Sequence, residues 1–254
     1  MNGHQAVVVL DKGFVRFVEG MGFDAGVVDA ARVSYKSEAG AADKDRKLIA
    51  YLLEHDHGTP FEHAVMKFHV KCPIFVARQW FRHRMASYNE TSFRYREAPE
   101  EFYIPQRWRG QDGKNKQGSS ELAQSETMHS MYSNTLREGG DKAMRDYRFM
   151  IESGVSREMA RMILPVNLYT EFYWTVNARS LMHFIRLRSE HHAQWEMRQF
   201  SNALWPIFAR LMPWTAEAFL ATLPLARYQA HEAGSLPGPN LGAIRDAQGA
   251  THAA

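Results

Sequence analysis

Two segments of the chain alternate between apolar and polar side chains, which is the period of a half-buried strand. The apolar face of the first segment, 63–71, consists of Ala64, Met66, Phe68 and Val70. The corresponding face of the second segment, 167–177, consists of Leu168, Thr170, Phe172, Trp174 and Val176. A short apolar run at 6–10 predicts a further, buried strand.

Helical periodicity predicts most of the remaining elements. An apolar stripe of Leu48, Ile49, Leu52 and Leu53 predicts a helix over 43–55, and Pro73 suits the first position of a helix over 73–84. Further helices are predicted over 120–152 with a kink at Gly139-Gly140, from an N-cap at Ser156 to 164, over 178–190 and over 194–212. Residues 86–94 show no period, and residues 107–120 predict an exposed loop.

The order of these elements favours a helix-dominated α+β fold, with a central sheet surrounded by helices. No internal linker interrupts the pattern, so we predict one domain over residues 1–228. The segment 229–254 is rich in Ala, Gly and Pro and is predicted to be a disordered tail.

Composition narrows the classes of protein. The chain has 254 residues, 31 Lys and Arg, 28 Asp and Glu, and a net charge of +3, which excludes collagen, a wholly disordered chain and a disulfide scaffold. The single cysteine, Cys72, indicates a reducing compartment, and we expect a cytoplasmic location. No apolar run approaches the roughly 18 residues of a membrane span, and no basic region precedes the first apolar run as in a secretory signal. We therefore expect no membrane partner.

General motif searches give little. The phosphate-binding loop, the serine nucleophile elbow and the zinc-protease motif are absent from the sequence, and residues 20–25 match only the G-x-G-x-x-A variant of the dinucleotide fingerprint. Because no βαβ pattern surrounds that match, we interpret it as a glycine-rich turn. The spacing of His55, His57 and His63 matches no zinc motif, and we predict no metal site.

The segment 78–94 concentrates four arginines with a glutamine and a glutamate. Arginine offers a planar fork of donors to phosphate oxygens, and a glutamine amide can read the polar edge of a flat ring. On the predicted helix, Arg78 and Arg82 would be neighbours one turn apart. A solvated basic helix face, with Glu90 and Glu97 as ion-pair partners, explains the same composition equally well.

A second cationic cluster follows the strand at 167–177. Arg179 and His183 are four residues apart on a predicted helix, so they share one face, and Arg188 and Arg161 add further charge. Ion pairs to Glu158, Glu171 and Glu190 are the alternative explanation.

The ordered motifs resemble one family. Arg82-His83-Arg84, seven residues and then Ser92 form the R-H-R-x7-S signature of the flavin-dependent thymidylate synthases, and the similarity extends from about residue 5 to about 222. The resemblance implies that the chain is an enzyme that converts dUMP to dTMP. It implies FAD as redox carrier, NADPH as reductant and methylenetetrahydrofolate as one-carbon donor. It also implies a homotetramer in which several subunits build each active site.

The resemblance also assigns site residues. For dUMP these are Gln79, Trp80, Phe81, Arg82, Glu90, Thr91, Ser92, Phe93, Arg94, Arg161 and Arg188. For FAD they are Ser34, His57, Thr59, Glu62, Arg82, His83, Arg84, Met85, Glu90, Asn177, Ala178, Arg179 and His183. The catalytic role falls to Arg188, which resembles the arginine that favours ionisation of the uracil N3. His183 stands where some members have asparagine.

Other functions would use the same residues differently. Cys72 lies at a strand-to-helix turn without an activating neighbour, so we interpret it as a small buried residue rather than a nucleophile. A non-catalytic nucleotide- or RNA-binding protein could use the basic segment 78–96, although local clusters suit small anions better and we expect no nucleic-acid partner. A flavoprotein of different specificity and a structural oligomer with ion-paired arginines also remain open.

Overall fold

The computed structural model describes residues 6–33, 42–113, 116 and 118–224. Within these ranges a central antiparallel sheet has the strand order β1-β2-β3-β7-β4. Its strands are β1 (Val7–Val9), β2 (Gly13–Met21), β3 (Val65–Pro73), β4 (Ala86–Glu90) and β7 (Tyr169–Asn177). A separate antiparallel hairpin consists of β5 (Arg109–Gln111) and β6 (Ser119–Glu121).

Eight α-helices and two short 3-10 turns complete the described chain. The helices are α1 (Phe23–Arg32), α2 (Ala42–Glu54), α3 (Ile74–Trp80), α4 (Glu126–Glu152), α5 (Arg157–Ala160), α6 (Ala178–Arg188), α7 (Trp195–Leu211) and α8 (Pro213–Thr222). The 3-10 turns are Thr59–His63 and Arg161–Ile163. None of the helices within the described ranges combines the length and apolarity that a membrane span requires.

Alternation places the two long predicted strands in the sheet with the expected face inward. In β3, Met66, Phe68 and Val70 are fully buried. In β7, Phe172 and Trp174 are at most 1% exposed. A shift of one residue in register would turn these side chains outward, so burial fixes the pairing. The predicted α+β fold is confirmed.

The described residues fall into two compact units. One consists of the residues up to Arg16 together with Phe68–Trp174, and the other of Phe17–Lys67 together with the residues from Thr175 onward. The division passes through β2, β3 and β7. In the first unit, aromatic rings of Trp80, Phe172 and Trp174 pack edge to face with centroids 5.2–5.4 Å apart.

The second unit is held by a capped helix start. The Asp24 carboxylate accepts hydrogen bonds from the backbone amides of Trp214 and Thr215 and from the Thr215 hydroxyl, at 2.6–3.1 Å. These amides lie in the first turn of α8, where donors have no partner inside the helix. Asp24 is 7% exposed, so α1 and α8 are joined by a buried ionisable group.

Several predicted elements differ from the structure. The helix predicted over 73–84 is shorter at both ends. It begins at Ile74, because Pro73 completes β3, and it ends at Trp80, where the chain turns. Strand β4 lies within 86–94, a segment without periodicity in its sequence, and the predicted loop 107–120 forms most of the β5–β6 hairpin, which extends to Glu121. The helix predicted from residue 120 begins at Glu126 behind the N-cap Ser125, and it runs through Gly139 and Gly140 without a break.

Helices α1 and α8 were not predicted. The division 1–228 and 229–254 stays a prediction, since residues 225–254 lie outside the described part of the chain.

Candidate functional site

The signature segment occupies a turn and an edge strand. Helix α3 ends at Trp80, and the amides of Arg82 and His83 donate to the carbonyls of Gln79 and Trp80. Arg82 and Arg84 are exposed in the turn that leads to β4. The prediction that Arg78 and Arg82 share a helix face is therefore wrong, because Arg82 lies beyond the helix end.

Apolar members of the assigned dUMP set face the core. Trp80 is fully buried, Phe93 is 8% exposed, and the Phe81 ring packs edge to face against Phe172 at 5.0 Å. A side chain with no exposed surface cannot touch a ligand from solvent, so a ligand contact at Trp80 would use its backbone. Gln79 is half-buried on the same helix.

Glu90 is held by Thr170, whose only sequence signal is its place on the apolar face of the strand predicted over 167–177. The Thr170 hydroxyl donates to the Glu90 carboxylate at 2.7 Å, and the Thr91 amide donates to the Glu171 carbonyl at 2.8 Å. Thr170 is 2% exposed. A hydroxyl on an otherwise apolar strand face was the available signal, because a buried polar group needs a partner.

Ser92 organises the chain beyond β4. Its carbonyl accepts hydrogen bonds from the amides of Tyr95 and Arg96, and its hydroxyl accepts one from the Arg94 amide at 3.3 Å. These contacts form a serine-capped turn. The turn places the Arg94 side chain, which is 53% exposed, at the surface.

Ion pairs account for part of the first cationic cluster. Arg94 lies 3.3 Å from Glu158, and Arg157 lies 3.4 Å from Glu97. Exposed pairs of this kind contribute about 0–1 kcal/mol, so they leave Arg94 available to a stronger anion. Arg161 is exposed in the 3-10 turn that follows α5.

Helix α6 carries much of the assigned flavin set. The Asn177 side-chain oxygen accepts a hydrogen bond from the Ser180 amide at 2.8 Å and caps the helix. The side-chain nitrogen of Asn177 is then the donor that can serve a ligand. Ala178 is buried beneath this cap. Arg179 and His183 are both exposed one turn apart, which confirms their predicted common face.

The turn before Thr59 fits around Arg179. The Arg179 guanidinium pairs with Glu62 at 2.5 Å. A side chain at Gly58 would bring its Cβ within 2.6 Å of the Arg179 Nε, so glycine leaves room for the guanidinium. His57 and Thr59 flank this glycine and are exposed.

The structure therefore places the assigned residues in two groups. The signature residues, Met85, Arg94 and Arg161 lie in the first unit, and those at 57–62 and 177–188 lie in the second. Ser34 lies outside the described residues.

Arg188 ends α6 in a partly buried position. Burial lowers the pKa of its guanidinium. The group nevertheless stays protonated, as arginine does throughout proteins. The next residue, Ser189, is buried and shares a 2.8 Å hydrogen bond with Ser201. A charged group held in partial desolvation interacts more strongly with a developing negative charge than an exposed one.

Cys72 cannot serve as a nucleophile in this conformation. It is 0% exposed, and burial raises the pKa of its thiol well above the usual range, with the nearby charge of Glu90 adding to the shift. The thiolate is the reactive form, so this environment suppresses it. The interpretation of Cys72 as a small buried residue is confirmed.

The glycine-rich match at residues 20–25 has a structural explanation. Gly22 has a φ of +82°, and a Cβ there would lie 2.5 Å from the His63 carbonyl, so the G-x-G-x-x-A match reflects a tight turn into α1.

The potential ligand atoms of Glu190, His191 and His192 lie within 4.8 Å of one another, which makes this group the metal-binding candidate of the described chain.

Comparisons with known proteins agree with this geometry. Residues 16–214 match the family described as "Thymidylate synthase complementing protein". A flavin-dependent thymidylate synthase from Thermosipho africanus is 50% identical, over 84% of this chain and 92% of its own length. One from Thermus thermophilus is 49% identical, over 86% of this chain and 80% of its own length.

A solved structure supports the fold. The UMP/dUMP methylase PolB from Streptomyces cacaoi, bound with 5-Br dUMP, superposes with a TM-score of 0.76 at 35% identity. The match covers 85% of this chain and 97% of that protein. The complete R-H-R-x7-S signature, residues 82–92, lies within the family match over residues 16–214. The chain belongs to the flavin-dependent thymidylate synthase family.

Proposed function

We propose that this protein methylates dUMP to dTMP with a bound flavin. The observation that carries the proposal is the intact signature, whose Arg82 and Arg84 are exposed in the turn before β4, within a chain about half identical to enzymes of that name. The nucleotide-bound methylase of the same fold supports dUMP as the substrate class.

The assigned cations suit a phosphorylated pyrimidine. Arg82, Arg94 and Arg161 are exposed, and guanidinium groups bind phosphate oxygens through paired donors. Gln79 can supply a donor and an acceptor to the uracil edge. Glu90, Thr91 and Ser92 would line the nucleotide from strand β4 and the turn after it.

We assign activation of the ring to Arg188. A guanidinium beside N3 stabilises the negative charge of the deprotonated uracil, and its partial burial strengthens that interaction. This role replaces the thiolate attack that the buried Cys72 cannot perform.

The donors of the second unit fit a flavin. Helix α6 offers three such groups: the amide nitrogen of its N-cap Asn177, the guanidinium of Arg179, for which Gly58 leaves room, and the exposed ring of His183. The family resemblance also assigns Ser34, His57, Thr59, Glu62 and residues 82–85 to FAD. When bound, FAD supplies the hydride chemistry that no side chain can perform.

The overall reaction needs two further molecules. We propose that methylenetetrahydrofolate contributes the carbon and NADPH the two electrons, so that dUMP, the folate, NADPH and a proton give dTMP, tetrahydrofolate and NADP⁺. The charges of the assigned residues are compatible with these anionic partners.

We also propose a homotetramer with shared active sites in the cytoplasm. Apolar side chains are exposed around Arg161, and such patches are typical of contact surfaces. They are Met159, Met162, Ile163 and Val166. A reduced, buried Cys72 is consistent with a reducing compartment.

The test begins with the colour and activity of the purified protein. We expect a yellow protein that releases FAD on denaturation and forms dTMP only when dUMP, NADPH and methylenetetrahydrofolate are all present. A colourless protein that stays inactive after FAD addition would refute the proposal. Steeply salt-dependent RNA binding without a cofactor would instead support the RNA-binding alternative.

A further inference from the structure

The turn that carries Arg82, His83 and Arg84 is tied to the strand that follows it. The Tyr88 hydroxyl lies 2.7 Å from the His83 carbonyl and 3.3 Å from the Trp80 carbonyl. A phenol has one proton to donate, and the shorter contact is the principal hydrogen bond. It closes a loop from residue 83 to residue 88.

The Tyr88 ring is itself held firmly. It packs edge to face against Phe81 at 4.9 Å and lies nearly parallel to Trp174, with an interplanar angle of 15°. Burial raises the pKa of Tyr88 to about 12, so the hydroxyl keeps its proton at any working pH. The ring fixes where the donor lies, and the donor fixes the turn.

We propose that Tyr88 is a positioning residue that holds the backbone of the Arg82-His83-Arg84 turn in its ligand-binding conformation. The inference rests on the proposed function, which places flavin and dUMP contacts on this turn. The family resemblance assigned Tyr88 no role. It acts through the backbone, so it need not touch either ligand.

The hydroxyl can be separated from the ring. Tyr88→Phe removes one oxygen and keeps the aromatic packing, so the fold should survive. Tyr147→Phe is the matched control, because its hydroxyl also has a backbone partner: the buried Tyr147 accepts a hydrogen bond from the Ala98 amide at 3.3 Å. That contact lies outside the signature turn.

Four quantities should be measured on the wild type and both variants: amide hydrogen exchange of residues 80–88 in the flavin-loaded protein, the affinity for FAD, and KM and kcat with dUMP. For Tyr88→Phe we expect faster exchange in the turn and about fivefold to tenfold weaker FAD binding or a similarly raised KM for dUMP. Its unfolding midpoint should match that of the Tyr147→Phe control, which should retain normal exchange in the turn and normal affinities.

Unchanged exchange in Tyr88→Phe would overturn the contact as a restraint on the turn. Faster exchange with wild-type FAD affinity and KM would overturn its positioning role. A wild-type protein that binds neither FAD nor dUMP would refute the proposed function and this role with it, and that result is visible before any variant is made.

Discussion

The Thr170 hydroxyl donates a 2.7 Å hydrogen bond to the Glu90 carboxylate, joining neighbouring strands β7 and β4. The donor is buried and the acceptor belongs to the signature segment. Orientation of Glu90 therefore depends on a residue that looks, in sequence, like part of a hydrophobic strand.

Replacing Thr170 by valine should keep the shape of the strand and remove this donor. We expect the KM for dUMP to rise by up to about tenfold, because one hydrogen bond to a charged group is lost. Thr170→Ser should restore the wild-type value, since it keeps the hydroxyl. Steady-state kinetics measure the effect, and an unchanged KM in the valine variant would contradict it.

Arg188→Ala should fold and retain flavin but bind dUMP weakly, with turnover reduced on the order of 10²-fold or more. The matched control is Arg186→Ala in the same last turn of α6, where Arg186 lies over the Phe219 ring at 5.5 Å. We expect that variant to stay within about threefold of wild-type turnover. Near-normal turnover in Arg188→Ala would refute its activating role.

Cys72→Ala should keep most of the activity. The thiol is fully buried and protonated, so its loss removes packing rather than chemistry. We expect a decrease of about 1 kcal/mol in the free energy of unfolding, by urea titration, from the missing sulfur contacts. A well-folded variant without turnover would show that the thiol takes part in the reaction.

Asp24 should make stability depend on pH. Burial raises its pKa above 3.8, although hydrogen bonds from Thr215 and Trp214 act in the opposite direction. The folded state therefore binds the proton more tightly than the unfolded chain. The resulting stabilisation is fully present below pH 3.8 and is lost as the pH rises through the folded pKa.

Asp24→Asn cannot ionise and serves as the reference for this effect. The free energy of unfolding of the wild type relative to this variant should fall as the pH rises through that interval. Urea titrations from about pH 3.5 to 6 would detect the change. Parallel curves for the two proteins would show that the carboxyl does not titrate differently in the folded state.

Adjacent glycines in α4 should respond differently to substitution by alanine. A Cβ at Gly139 meets nothing within 4 Å, so Gly139→Ala should raise the free energy of unfolding by up to about 1 kcal/mol. A Cβ at Gly140 would lie 3.1 Å from the Phe102 ring. Gly140→Ala should therefore be the less stable of the two in chemical denaturation, and equal effects would contradict this assignment.

Hydrophobic periodicity was sufficient to locate an element where one side of that element is buried along its whole length. It located β3, β7, α2, α6 and α7 and the inward side of both long strands. It failed for β4, none of whose residues is buried, so that no fully apolar side marks the strand in the sequence. It also missed α8, whose apolar residues are spread around the helix rather than along one face.

The site divides along a similar line. The residue types of the signature, with the family resemblance, identified the groups that would contact ligands. Neither could show that Thr170 and Tyr88 hold those groups. The Thr170 contact depends on the strand order, which places β7 beside β4, and the Tyr88 contact depends on the turn that follows α3. Sequence spacing also extended α3 past Trp80, because nothing in the residues marks the turn that follows.

The discontinuous second unit has a consequence for synthesis on the ribosome. The amide partners of the Asp24 carboxylate lie 190 and 191 residues further along the chain, so these hydrogen bonds cannot form before that part of the chain is synthesised. Contacts of such high sequence separation form late and slow folding. Helices α1 and α2 therefore cannot reach their final packing until nearly all of the described chain has been translated, and nascent protein should depend on chaperones longer than a domain assembled from consecutive residues.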